Sequence, residues 1–143
     1  VHVILLACIA YVLLALAVFI FQRWLVFLPT RIPAGVITQV AQEHGFLPWT
    51  NAAGLIIGWK MPSTPTSQGS VLIVHGNAGC ALSRDYLALP IHNAEAVDVY
   101  VLEYPGYGAR PGSPGRKSFD AAAEEAFAQL PAQMPRYLVS ESI

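Results

Sequence analysis

A chain of 143 residues has room for one domain of ordinary size at most. Its formal charge is −1, with 12% charged and 55% hydrophobic residues, and its one basic pair is Arg116-Lys117. This balance argues against a nucleic-acid partner, and Cys8 and Cys80, far apart, form neither a metal-binding spacing nor a disulfide framework.

The apolar excess sits at the front. From Val3 to Phe21 no charged side chain appears, a run of about 19 residues and about 28 Å of helix, against a hydrocarbon core of about 30 Å. Gln22-Arg23-Trp24 then puts a cation and an aromatic ring at headgroup depth. The expectation is a transmembrane helix over His2–Phe27, with residues 1–28 as a single-pass anchor in the lipid bilayer. A cleavable signal peptide competes, because Ala15-Leu16-Ala17 fits a small-x-small site, but a charged leading region is missing. A buried soluble helix is the third reading. Arg23 and Arg31 follow the run and no Lys or Arg precedes it, which leans towards a cytoplasmic globular part.

Pro29 and Pro33 stop the helix and favour extended chain, so residues 29–45 read as a linker. Phe46–Thr50 and Leu55–Met61 read as an antiparallel hairpin joined by Asn51–Gly54. Residues 63–70 are a surface loop by composition. Val71–Val74 is four apolar, mostly β-branched residues running into His75-Gly76, a central strand buried on both faces. Gly76 and Gly79 permit a sharp turn with no Cβ to obstruct a neighbour. A short helix follows over Arg84–Ile91, capped by Ser83 and ending near Pro90.

Val97–Leu102 is the next strand and empties into Glu103–Gly108, a turn-rich loop. Tyr104 and Tyr107 there could line a crevice or cover the sheet edge. Glu103 reads as bonding locally, and Arg110, Arg116 and Lys117 as solvated loop charges. Ser118 can cap a helix over Phe119–Leu130, whose Phe119, Ala123, Ala126, Phe127 and Leu130 would face the sheet. Arg136–Ser140 is the last strand. A hairpin followed by strand, helix, strand, helix, strand implies an α/β fold with an open sheet whose later strands are parallel. Ligands in such sheets bind outside the carboxyl ends of the strands, where the loops after Val74 and Val139 both lie.

Three stretches carry a family resemblance. His75-Gly-Asn-Ala-Gly79 resembles the HGNAG loop of α/β-hydrolases, and Glu103-Tyr-Pro-Gly-Tyr-Gly108 is similar to their acid-aromatic-x-Gly-aromatic-Gly loop. Ser140-Glu141-Ser142-Ile143 resembles the start of their nucleophile elbow, and the nearest branch is the membrane-anchored, serine-aminopeptidase-like hydrolases. The resemblance implies that residues 46–143 are the N-terminal half of a hydrolase domain. Ser142 would be the nucleophile, with the backbone N–H groups of Asn77 and Ile143 as oxyanion donors. His75, Gly76 and Gly79 would support the loop, and His75 would not be the base. The substrate would be a small or acylated ester, thioester or amide, and no cofactor is implied.

Two residue facts bear on this expectation. Ser140 stands where the elbow has its first glycine, and the family's acid and histidine follow the nucleophile, whereas His2, His44, His75 and His92 all precede Ser142. The chain therefore reads as the front of an enzyme, inactive alone, with Arg136–Ser140 left as an apolar edge prone to self-association. A non-catalytic membrane-tethered α/β binding module is the alternative. A phosphate-binding role for Gly76–Gly79 is weaker, since neither G-x-G-x-x-G nor a P-loop lysine is present.

Overall fold

The computed structural model describes residues 2–63 and 66–142. Residues 64 and 65 of the 63–70 loop, and Ile143, lie outside the described residues. The fold is mixed α/β, with an apolar N-terminal helix and sheets of mixed strand orientation.

Helix α1 (His2–Val26) is long and apolar enough to cross a membrane, and none of its residues is buried against the rest of the chain. Its exit is held. Phe27 packs edge-on against Phe119 at 5.3 Å between ring centroids, and the Arg23 guanidinium donates to the Pro114 carbonyl. An aromatic pair of this geometry is worth about 0.5–1.5 kcal/mol beyond its buried area.

The next stretch departs from a plain linker. Leu28–Pro29 forms a two-residue strand, β1, and Ala34–Glu43 forms helix α2, which starts directly after Pro33. Proline suits that position because the first N–H groups of a helix need no intrahelical partner. Ile37 and Ala41 lie one turn apart and are buried, which ties α2 to the core.

The hairpin forms as expected. Strand β2 (Leu47–Thr50) pairs antiparallel with β3 (Ile56–Met61), with a register shift between Trp49 and Thr50. Strand β4 (Ser70–Val74) is buried at all five positions. A second two-residue strand, β5 (Ala78–Gly79), pairs parallel with β1. A 3-10 turn over Ala81–Arg84 then leads into α3 (Asp85–Ala94). Ser83 therefore lies inside this turn and caps nothing, and Pro90 sits within α3 instead of ending it. The helix tolerates Pro90 because both it and Tyr86, whose carbonyl loses its partner, are exposed.

Strand β6 (Asp98–Leu102) precedes α4 (Arg116–Gln129), and β7 (Arg136–Ser140) closes the set. Helix α4 begins three residues earlier than Phe119. Ser118 lies within its first turn and donates back to the carbonyls of Ser113 and Gly115, so it is not the N-cap. Phe119, Ala122 and Ala126 are its buried positions, while Phe127, expected on the sheet, is half exposed under the Arg136 guanidinium.

The main sheet runs β2-β3-β6-β4-β7, with β6, β4 and β7 parallel and the first two strands antiparallel. Alternation along β4 splits the core. Val71 and Ile73 join Ile37, Phe46, Trp59 and Ala88 on the face covered by α2 and α3. Leu72 and Val74 join Tyr104, Tyr107, Phe119 and Ala126 on the face covered by α4. Among the described residues β7 is an edge strand, with Tyr137 and Leu138 exposed.

Candidate functional site

The loops that leave β4 and β7 meet. Gly76 follows β4 by two residues, and a Cβ built on it would lie 3.0 Å from the Cβ of Ser142 and 3.2 Å from the Glu141 carbonyl oxygen. Only a glycine allows this approach without displacing one of the loops. The Glu141 N–H donates to the Val74 carbonyl at 3.1 Å, which continues the parallel ladder up to the turn.

Ser142 sits on that turn with φ +73°, the one non-glycine residue at positive φ among the described residues. A side chain in the left-handed region costs about 1–2 kcal/mol and persists only where neighbouring contacts hold it. The residue is exposed and stands beside the glycine of the facing loop. An accessible hydroxyl thus sits on a strained strand-end turn, beside the glycine loop that follows β4.

Asn77, the expected oxyanion donor, is held from three directions. Its side-chain amide donates to the Val26 carbonyl at 2.6 Å, and its own carbonyl accepts from the Leu28 N–H and the Tyr107 hydroxyl, each at 2.8 Å. Its backbone N–H meets no acceptor among the described residues. The second expected donor, Ile143, lies outside the described residues. Gly79 has φ +85°, a conformation that favours glycine, and a Cβ there would stand 2.6 Å from a guanidinium nitrogen of Arg84, which would have to move.

His75 is buried beneath the loop. Its Nδ1 donates to the Gly76 carbonyl at 2.8 Å, and Nε2 lies 3.3 Å from Glu103 Oε1 and 3.5 Å from the Tyr104 amide. Both ring nitrogens face protein groups, and the rings of Tyr104 and Tyr107 pack edge-on against the imidazole. The ring is thus packed and hydrogen-bonded beneath the loop. Glu103 also accepts the Ala81 N–H at 2.9 Å, so it joins the end of β6 to the loop after β4. Burial raises the hydroxyl pKa of both Tyr104 and Tyr107, which keeps both neutral.

The strongest side-chain contact at the site gives no local sequence signal. Arg84, buried at the end of the 3-10 turn, makes a two-pronged ion pair with Glu141 at 2.8 and 3.0 Å. The same guanidinium donates to the carbonyls of Ala78 and Cys80, at 3.0 and 3.3 Å. Tyr86 adds a hydroxyl bond to Glu141 at 2.8 Å. The Tyr86 and Arg84 hydrogen bonds hold the Glu141 carboxyl below its ordinary value, and the bond to Glu141 raises Tyr86. One side chain thus ties the loop of residues 78–80 to the residue preceding Ser142. Arg110, expected to be a solvated charge, is also internal. It is buried, donates to the Glu103 carbonyl at 2.8 Å and pairs with Glu125 at 2.8 Å, which pins the loop after β6 to α4.

No group of three His, Cys, Asp or Glu residues able to hold a metal ion occurs among the described residues. No protein-family model matches the chain. The chain is 31% identical over 107 residues to two uncharacterized proteins of Mycobacterium tuberculosis, MT2364 of strain CDC 1551 / Oshkosh and Rv2307c of strain ATCC 25618 / H37Rv. The match takes in 73% of this chain and 38% of each relative, so the chain spans about two fifths of the length of these relatives.

Proposed function

We propose that this chain carries the nucleophile and the oxyanion loop of a membrane-anchored serine hydrolase of the α/β-hydrolase type. Ser142 is the nucleophile in this reading. Its Oγ attacks the carbonyl carbon of an ester, thioester or amide, and its proton passes to a base and on to the departing alcohol, thiol or amine. Water then cleaves the acyl-serine ester to release the acid and regenerate the hydroxyl. The Asn77 N–H receives the charge that builds on the carbonyl oxygen, a contribution of about 3–4 kcal/mol for one such donor. Helix α1 holds the site at a bilayer. The base is not His75, whose nitrogens are engaged elsewhere. In the resembled family the base follows the nucleophile in the chain.

The observation that supports the reading most is the positive φ of Ser142 combined with its approach to Gly76. A binding module has no need for a strained serine at that point, because glycine would relieve the turn.

The test uses the protein translated to its natural stop codon, in detergent, with p-nitrophenyl esters of several acyl lengths. Hydrolysis by the wild type that drops at least a hundredfold in Ser142→Ala supports the proposal. Equal rates for the two proteins contradict it.

A further inference from the structure

Two adjoining cavities open where α1 leaves its apolar stretch. The larger, about 570 Å³, is bounded by Arg23, Phe27, Ser113, Arg116 and Lys117. The smaller, about 350 Å³, shares Arg23 and Phe27 and adds Trp24, Arg31 and Pro114. Of the chain's eight Lys and Arg residues, Arg23, Arg31, Arg116 and Lys117 therefore gather at one end of one helix. Among the described residues three of these four have no acidic partner, and Arg116 reaches Asp120 only at 3.8 Å. Arg84 and Arg110, by contrast, are consumed in internal ion pairs.

Arg116 and Lys117 also open α4, the end of a helix at which the dipole disfavours cations, and among the described residues Asp120 is the one carboxylate that approaches them. The cavity walls alternate between these cations and the rings of Trp24 and Phe27, and the same wall continues into the apolar length of α1. An anion seated there would have hydrocarbon directly beside it.

We propose that this paired cavity holds the phosphate headgroup of an anionic glycerophospholipid. Arg23, Arg116 and Lys117 meet the phosphate, and the acyl chains run along α1. The assignment rests on α1 crossing or lying in a bilayer, but not on any chemistry at Ser142, so either can fail without the other. A topological role for the cations, which hold one end of α1 on one side of a membrane, would require no lipid selectivity.

The test is native mass spectrometry of the detergent-purified protein titrated with phosphatidylglycerol, with phosphatidylcholine of the same acyl chains, and with inorganic phosphate alone. Phosphatidylglycerol adducts should persist at activation energies that strip phosphatidylcholine. Each charge removed should weaken retention about fivefold, from about 1 kcal/mol per cation at an anionic surface. Arg116→Gln/Lys117→Gln alters two exposed side chains, so loss of folding is not expected, and Arg136→Gln on the far edge of the sheet should leave retention unchanged. Equal retention of the two lipids would overturn the assignment, as would wild-type retention in the double variant. Saturation by inorganic phosphate with no gain from acyl chains would overturn the lipid source.

Discussion

Arg84 and Glu141 are 57 residues apart and make a two-pronged ion pair, with Arg84 also holding the carbonyls of Ala78 and Cys80. This pair fixes the distance between the two loops on which the proposed chemistry depends. Arg84→Met should leave one carboxylate and two carbonyls short of a donor, and cost about 1–3 kcal/mol in urea unfolding. Arg84→Lys should recover part of that loss but not the two-pronged geometry, because a lysine presents a single charged point. If the pair only stabilises, kcat on ester substrates will be unchanged for folded variants. If it positions Ser142, kcat will fall at least tenfold while KM moves little.

The same strap makes stability depend on pH in a stated direction. Glu141 is held below the ordinary glutamate value of 4.5, so the folded state binds its proton less readily than the unfolded chain. Its contribution is complete above about that pH and is lost as pH falls through the lowered folded value. Tyr86 is raised from 10.0, so its share is present below that pH and is lost as pH rises through the raised value. Thermal melts of the wild type and Glu141→Gln should therefore differ most between these limits and converge on the acid side. A constant gap down to pH 3 would contradict this account.

Strain at Ser142 gives a prediction of opposite sign for stability and activity. Glycine adopts a φ of +73° without the steric cost a side chain meets there. Ser142→Gly should stabilise the fold by about 0.5–1 kcal/mol while it removes the hydroxyl on which the chemistry depends. Ser142→Ala should abolish activity without that gain. Chemical denaturation of the three proteins side by side separates the cases.

The sheet was legible because its strands announce themselves. Val71–Val74 is buried on both faces, and the Asn51–Gly54 turn joins two strands that pair antiparallel. Helix α2 was not, because its ten residues follow two prolines and include a glycine and four β-branched residues, all of which lower helix propensity. Its burial of Ile37 and Ala41 is a tertiary effect. The phase of α4 is only partly legible, since alanines at 122 and 123 fit neighbouring faces equally well and Phe127 lies half exposed under Arg136.

At the site, the glycine loop and the terminal serine were legible as a pair, since both follow parallel strands. The Arg84–Glu141 contact was not. Each residue is unremarked among its sequence neighbours, and only the fold makes them adjacent. The same holds for the pairing of β1 with β5, two residues long, through which the exit of α1 becomes part of the Asn77 loop.

The central claim is that Ser142 is an activated nucleophile. The direct measurement is peptide mapping by mass spectrometry after the protein, translated to its natural stop codon, is treated with a fluorophosphonate. The account predicts one phosphonyl adduct on the peptide that contains Ser142, absent in Ser142→Ala and undiminished in Ser140→Ala. An adduct that persists in Ser142→Ala, or none on a folded wild type, would contradict it.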